Sequence, residues 1–487
     1  MSESNLKEKA AKGLLWSGIG NLATQVVNML FGIFIARILL PEDYGIVGLL
    51  LVFTGIASTL QESGLTAALI NKKDCRHEDY NAVFWFSLFA SLILYTILFF
   101  STPLIAGFYH VPELKALGRI SFLGFVFASI GIVPYAILLK SIQSGKMALV
   151  YFTATVLSGI AGVIMALCGM AYWGLAIQSV GMFLIRSILV WIVSGWKPSG
   201  QISFRPILPL WKFGVKILLT RIFEVITNNI LIIFLGRFFT KTEVGYYNQA
   251  SKWNYMAYSS LLFMANSTAQ PIFVQADDEA GRSRRVLRKM TRFMAFLSFP
   301  CMFGLALIAP EFITILLTGK WEKAIPLLRI LCIGGAFLPL SGIFSNFMLS
   351  RGKSGTTLAS TVCLSIAQLS AAFLFRRTGI LAMTAAYTTV SILWIMVWQL
   401  LAWREIRLRL RDTVRDVAPF ALIAAAVMLA VHFITLPLDG IYLRILAKIA
   451  CAVLLYGLAM RASDSHIYKE FLEYAKGGIK KILSRKR

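Results

Sequence analysis

Long apolar segments separated by short polar turns fill the chain from residue 14 to residue 460. About 20 consecutive apolar residues are enough for a helix to cross a bilayer. The pattern therefore predicts transmembrane helices, fourteen in all, near 14–38, 45–69, 82–108, 116–138, 147–169, 173–195, 213–236, 246–273, 293–318, 324–349, 355–375, 379–402, 417–436 and 441–460. An even number of spans places both termini on the same side of the membrane.

The first span carries a polar stripe. Four of its polar residues fall within roughly 80° of the helix surface when each residue turns the helix by about 100°; they are Ser17, Asn21, Gln25 and Asn28. A polar stripe in a membrane helix is expensive to expose to lipid. We therefore expect it to face other helices or a water-filled cavity.

The first helical hairpin is repeated 200 residues later. Residues 36–45 align with 236–245 without a gap, so that Asp43 meets Glu243 and the Arg and Gly ends match. Asn28 falls on Asn228. We interpret this as an internal repeat of six spans, and an even number of spans per copy predicts a parallel repeat about an axis along the membrane normal.

The predicted organisation follows from the repeat. Two six-helix lobes are joined by a basic linker, and two further helices and a tail come after them. The boundaries are 1–13 for a cytoplasmic N-terminus, 14–195 for the N-lobe, 196–212 for the linker, 213–402 for the C-lobe, 417–460 for helices 13 and 14, and 461–487 for a basic cytoplasmic tail.

Composition agrees with an all-α membrane protein. The chain has 487 residues, of which 58% are hydrophobic and 15% charged, against about 25% charged in soluble domains. The six cysteines are scattered and the four histidines form no cluster, so we expect no metal, no cofactor and no disulfide framework. No separate catalytic domain is visible, and we expect the protein not to be an enzyme.

The basic residues behind the net charge of +25 lie mostly in the short loops. This placement indicates that they orient the chain in the membrane and do not bind nucleic acid. One set of alternate segments, including both termini, holds 32 Lys and Arg residues, and the opposite loops hold about 9. The richer set should be cytoplasmic. Its two densest clusters, 282–292 and 404–415, are expected to contact anionic lipid headgroups.

Seven basic residues lie inside apolar spans, where each costs about 2.5–3.5 kcal/mol at the bilayer centre; they are Arg119, Arg186, Lys216, Arg221, Lys252, Arg329 and Lys448. Arg119 and Arg329 lie near span ends and can snorkel. Arg and Lys suit phosphate groups, and amides suit sugar hydroxyls. The predicted substrate-binding residues are Arg186, Lys216, Arg221, Lys252, Asn21, Gln25, Asn28 and Asn228.

Simpler interpretations of these residues stay open. Arg221 and Glu224 are three residues apart and can neutralise each other. Polar residues on membrane helices often only join helices together. Glu62 and Glu224 are candidate coupling-ion sites for a proton or another cation, although both have cationic neighbours or interfacial positions.

The N-terminal region resembles a known family. A polar opening, 6–13, runs into the first span, which ends in the turn Pro41-Glu42-Asp43-Tyr44-Gly45. This arrangement is similar to the start of bacterial polysaccharide and O-antigen flippases, in the teichuronic and colanic acid exporter branch of the multidrug/oligosaccharidyl-lipid/polysaccharide (MOP) exporter superfamily. Spans 13 and 14 are typical of that branch.

The resemblance implies transport of an undecaprenyl-diphosphate-linked oligosaccharide across the inner (cytoplasmic) membrane by alternating access. It implies membrane lipids, H+ or Na+, and a polysaccharide polymerase with chain-length proteins as partners, and no nucleic acid. The alternative is a cation-coupled multidrug or small-molecule antiporter of the same superfamily, which would carry more buried acids than bases. A membrane enzyme would need clustered catalytic groups that this sequence lacks.

Overall fold

The computed structural model describes residues 3–473 except 63–65, 67, 68, 71, 73, 142, 201, 202, 205–207, 276–280, 464–466, 471 and 472. Within its helices, the side chains of 3–19, 21, 61, 62, 208–217, 220, 267, 268, 270, 271, 274 and 275 are also left undescribed.

Every regular element in the described part of the chain is helical. In chain order the helices are α1 (Glu3–Ile38), α2 (Pro41–Gly48), α3 (Leu51–Glu62), α4 (His77–Tyr109), α5 (Leu114–Ser121), α6 (Leu123–Ile130), α7 (Ile132–Lys140), α8 (Ser144–Leu167), α9 (Tyr172–Ser194), α10 (Leu208–Phe238), α11 (Lys241–Gln275), α12 (Arg282–Leu317), a short 3-10 turn (Gly319–Trp321), α13 (Ala324–Gly335), α14 (Leu338–Ser350), α15 (Ser354–Leu374), α16 (Ile380–Ile406), α17 (Leu410–Thr435) and α18 (Ile441–Ala462).

These helices confirm the predicted all-α membrane class. Each predicted span coincides with one helix or with two or three consecutive ones. By length and apolarity, nine helices of the described residues can cross a membrane, or eleven if two pairs bent by 49° and 43° each form one span. The number fourteen therefore stays a prediction.

The helices cluster into two compact units, residues 1–245 and 246–487. In the first unit, α8 packs along both α1 and α9. Small residues permit the close approach: a side chain at Gly20 would meet Ala148, and one at Gly159 would meet the ring of Phe31. Without a hydrophobic driving force in lipid, such close contact is what holds membrane helices together.

In the second unit, α12 packs against α13, α14, α17 and α18 and contains two prolines, Pro300 and Pro310. A proline inside a helix leaves the carbonyl four residues earlier without its usual N–H partner. Those two carbonyls are satisfied by side chains: the Tyr456 hydroxyl donates to Phe296 O at 2.9 Å, and the Arg329 Nε donates to Ala306 O at 3.3 Å.

The same packing accounts for Lys448, a base in the middle of the last predicted span. Its Nζ lies 2.6 Å from Glu311 Oε1 on α12 and 3.3 Å from Leu307 O. Both side chains are about 95% buried. The charge is thus kept from lipid by a buried ion pair that joins α18 to α12.

Candidate functional site

The two repeated turns have the same local structure. In the first, the Leu40 main-chain N–H donates to Asp43 at 2.9 Å, and in the second the Thr240 N–H donates to Glu243 at 3.0 Å. Each acid sits in the first turn of the following helix, where it satisfies an N–H at the helix start. The offset of 200 residues is preserved in both members of each pair, which supports the repeat at the level of hydrogen bonds.

The two turns also contact each other reciprocally. A Cβ at Gly45 would overlap the carbonyl oxygen of Lys241, and a Cβ at Gly245 would overlap that of Pro41. Position 41 corresponds to 241 in the repeat, and 45 to 245. Because each partner meets the other's counterpart, the contact has the form that a local two-fold axis produces. We call these four residues the hairpin contact.

An ion cluster surrounds the hairpin contact. The Lys241 Nζ lies 2.8 Å from Glu42 and 2.7 Å from Glu113, which precedes α5. All three side chains are partly exposed, and Glu113 lies in the loop 109–115, outside the predicted spans. The hydrogen bond from Lys241 lowers the pKa of Glu113, and the hydrogen bonds to Glu113 and Glu42 raise the pKa of Lys241. We call this trio the turn ion cluster.

A second cation fastens the end of α10 to the end of α4. The Arg237 Nη1 donates to Phe108 O at 2.7 Å and contacts the His110 ring nitrogen. Next to it, Gly236 lies against Leu49 and Tyr109 so closely that a Cβ would overlap the Leu49 side chain. The end of α10 is therefore packed tightly where it meets α2 and α4.

Away from the turn, α1 presents two different exposed faces. The exposed apolar residues recur every four positions, and they are Leu22, Val26, Leu30 and Phe34. Gln25 and Asn28 are also exposed, and at about 100° per residue they point about 150° away from that stripe. An apolar face and a polar face on opposite sides of one membrane helix indicate lipid on one side and a polar space on the other.

The corresponding helix of the second repeat, α10, has the same division. Leu219 and Phe223 are exposed on one side, and Arg221 and Asn228 are exposed about 170° away from them. Arg221 Nη1 lies 2.8 Å from Glu224 Oε2, and both side chains are substantially exposed. The expected neutralising ion pair is formed on the polar face itself.

The structure places the other predicted site residues as follows. Arg186 is 4% exposed, with its guanidinium 4.7 Å from the Tyr151 ring centroid and 5.7 Å from that of Tyr135. Lys252 lies on α11 with its Nζ 6.0 Å from the Trp253 ring centroid. The side chains of Asn21, Lys216 and Glu62 fall outside the described residues. The binding and coupling roles of all these residues stay predictions.

Sequence reasoning missed the turn ion cluster. Glu42, Glu113 and Lys241 lie outside the predicted spans, where charged residues are ordinary. A contact between Glu113 and Lys241, 128 residues apart in the chain, has no signal in hydropathy. The exact offset between the repeats is the clue that could have placed Lys241 beside the first turn. Among the described residues, no group of three or more His, Cys, Asp or Glu side chains could hold a metal ion.

The fold defines a class: a multi-pass membrane protein built from repeated helical hairpins. Solved structures share this fold. The lipid II flippase MurJ, in an inward closed conformation, matches 93% of this chain and 100% of its own with a TM-score of 0.75 at 14% identity. An inward-facing multidrug resistance MATE transporter of the MOP superfamily matches 79% of this chain and 94% of its own with a TM-score of 0.65 at 17% identity.

Sequence comparison then gives the family. Residues 34–326 match the family described as polysaccharide biosynthesis protein, and the chain belongs to that family. It is also similar to the teichuronic acid biosynthesis protein TuaB of Bacillus subtilis (strain 168), with 24% identity over 452 residues that cover 92% of this chain and 94% of TuaB. The resemblance inferred from the first turn is thereby confirmed.

Proposed function

We propose that this protein is a flippase that moves an undecaprenyl-diphosphate-linked oligosaccharide across the bacterial inner membrane for cell-surface polysaccharide biosynthesis. Transport, not chemical conversion, is its task. Membership of the polysaccharide biosynthesis family gives the pathway, and similarity to TuaB favours a cell-surface polymer. A MATE-like antiporter on the same fold is the alternative.

The observation that carries the proposal is that α1 and α10 each expose a polar face. Amides on α1 and a cation with an amide on α10 lie opposite exposed apolar stripes. A diphosphate suits a guanidinium, and sugar hydroxyls suit amides. A carrier of cationic drugs would instead need an excess of acids there. Glu224, the described acid on this face, pairs with Arg221, so the pair provides no net negative charge.

The hairpin contact is a contact that we expect to break and re-form during alternating access. With the basic segments cytoplasmic, both termini are cytoplasmic and the hairpin contact lies on the periplasmic side. Opening would separate the hairpin contact and the turn ion cluster. Coupling to H+ or Na+ through Glu62 or Glu224 belongs to the same proposal.

Complementation tests this function. The chromosomal copy is deleted in the host, and wild type, Arg221→Ala or Arg186→Ala is supplied at matched membrane levels. The surface polymer and the leaflet distribution of its lipid-linked precursor are then measured. Leu219→Ala, on the opposite exposed face of α10, is the matched control for Arg221→Ala.

We expect the deletion to lose the polymer and to hold the precursor in the cytoplasmic leaflet. Arg221→Ala should reproduce this defect, and Leu219→Ala should restore the polymer. Normal polymer in the deletion strain together with greater drug sensitivity would contradict the flippase and favour the antiporter. Full function in both arginine variants would keep the flippase and remove the two arginines from the substrate path.

A further inference from the structure

The two densest basic clusters of the sequence make different contacts. On α12, Arg284 lies 2.6 Å from Asp412 of α17. Two further arginines converge on Asp416, which is 2% exposed: Arg288 at 2.7 Å and Arg292 at 2.5 Å. The cluster 282–292 was expected to contact lipid, and a large part of it instead pairs with the acidic face of α17.

The arginines of α17 itself are directed elsewhere. Arg411 and Arg415 each precede one of the two acids, so they lie about 100° around the helix from the face that meets α12. Both are exposed. In the part of the chain that the structure describes, neither forms an ion pair, and at four residues apart they are neighbours on the helix surface.

A shallow, open groove of about 520 Å³, lined by residues of α17 alone, continues from these two arginines along the helix. Below them its lining is apolar and includes Ala418, Pro419 and Leu422. Leu422 follows Arg415 by seven residues, which is about 10 Å along the helix axis. The groove therefore begins with two cations at the end of the helix and extends into the apolar part of the predicted span 417–436.

We propose that this groove binds an anionic phospholipid, with its phosphate on Arg411 and Arg415 and an acyl chain against Leu422. Guanidinium groups form paired, charge-assisted hydrogen bonds with phosphate oxygens. The depth of the apolar wall below the cations matches the step from headgroup to hydrocarbon in a bilayer. In the orientation proposed above, the lipid belongs to the cytoplasmic leaflet, whose anionic surface attracts such pairs.

The charge on the lipid decides the proposal, and the test therefore compares lipids that differ only in the headgroup. Purified full-length protein in detergent is titrated with phosphatidylglycerol or with phosphatidylcholine of the same acyl chains, and bound lipid is counted by native mass spectrometry. The groove variant is Arg411→Gln with Arg415→Gln. The control is Arg404→Gln with Arg461→Gln. It removes two exposed charges from the predicted cytoplasmic segments, and neither residue lines the groove.

We expect wild type and the control to bind phosphatidylglycerol in preference to phosphatidylcholine. The groove variant should bind phosphatidylglycerol roughly tenfold more weakly or worse, since each cation near an anionic surface contributes appreciably. Equal losses in both double variants would reduce the effect to net charge and overturn the proposal. Unchanged binding in the groove variant would overturn it as well.

A third variant tests the apolar part without altering the charge. Ala418→Trp fills the groove below the arginines, and we expect it to displace phosphatidylglycerol while thermal unfolding stays near that of wild type. Undiminished binding in this variant would contradict an occupant that lies along the groove. Preferential binding of undecaprenyl phosphate at the same site would assign the groove to the transported lipid instead. Because lipid binding is measured directly, these outcomes are independent of the complementation result.

Discussion

At the scale of single residues, two glycines and a buried ion pair permit close contacts between helices that larger or unpaired side chains would prevent. Gly45 and Gly245 let two main chains touch at the hairpin contact. Glu311 and Lys448 place opposite charges together where each alone would face an apolar interior. Both arrangements depend on what lies opposite the residue in space.

Replacing Gly45 with Ala tests the hairpin contact. The added methyl group would overlap the Lys241 carbonyl, and main-chain atoms cannot yield as a flexible side chain would, so overpacking of about 1–3 kcal/mol or more is expected. Gly107→Ala is the control, because a Cβ there meets nothing within 4 Å. Surface polymer at matched membrane levels should fall for Gly45→Ala and stay at the wild-type level for Gly107→Ala. Equal polymer in both strains would show that the close crossing is dispensable.

The buried pair predicts a strongly non-additive pair of substitutions. Lys448→Met alone leaves the buried Glu311 without its partner, and Glu311→Gln alone leaves the buried Lys448 without its partner. Breaking a buried ion pair in this way costs about 3–5 kcal/mol of stability. The double substitution removes both charges and should recover much of that loss. Thermal unfolding of the three variants in detergent measures the coupling. Additive shifts in Tm would mean that the two charges do not stabilise each other.

At the scale of elements, the structure explains why α18 packs along α12. The helix α12 carries two prolines, and the two carbonyls that lose their main-chain N–H partner accept hydrogen bonds from residues on other helices. The last predicted span, outside the repeat, thereby completes the hydrogen bonding of a helix inside the second unit. In lipid such carbonyls would find no water, so the bonds that satisfy them are needed.

Tyr456 and Pro300 form a pair that isolates this effect. Tyr456→Phe removes the donor to Phe296 O, and we expect a loss of about 1 kcal/mol in stability. Pro300→Ala supplies a main-chain N–H for the same carbonyl, so Tyr456→Phe should cost much less in that background. Tm values for the four proteins give the coupling. An identical cost in both backgrounds would show that the stabilising effect of the Tyr456 hydroxyl does not depend on Pro300.

At the scale of the whole molecule, the ion cluster at the repeated turns should respond to pH only at extremes. The lowered pKa of Glu113 means that its contribution is present above its ordinary value of 4.5 and is lost as pH falls through the lowered one. The raised pKa of Lys241 means that its contribution is present below 10.5 and is lost as pH rises through the raised one. Between about pH 5 and pH 10 the pair of Glu113 and Lys241 should therefore stay ionised.

A cysteine in place of Glu42 reports how accessible the turn ion cluster is to solvent. In a background without the six native cysteines, Glu42→Cys should react slowly with a membrane-impermeant thiol reagent, and from pH 6 to pH 8 its rate should rise only as the thiolate fraction of an ordinary cysteine does. Adding Lys241→Met should accelerate the reaction, because the cation that holds Glu113 is gone. Lys115→Met, which removes an exposed cation at the start of α5 in the same unit, is the control. Equal rates in all three proteins would show that the cluster does not hold the turns together.

The sequence alone determined the membrane class, because a bilayer sets the length of apolar spans and the placement of charges between them. It also determined the repeat and the family, because both are recognised from short runs of neighbouring residues. It also selected the polar faces of α1 and α10, since helical periodicity decides which residues share a face. Gln25, Asn28, Arg221 and Asn228 are exposed on those faces, and the binding role of every candidate residue stays a prediction.

Only the tertiary structure decided which distant groups meet. Lys448 had no account in the sequence until Glu311 appeared opposite it, and nothing local linked Lys241 to both Glu42 and Glu113. The basic cluster of α12 reads as a lipid-facing segment until the acids of α17 are seen to neutralise much of it. Ion pairs and proline-freed carbonyls are satisfied across helices far apart in the chain, and periodicity within one helix carries no record of its partners.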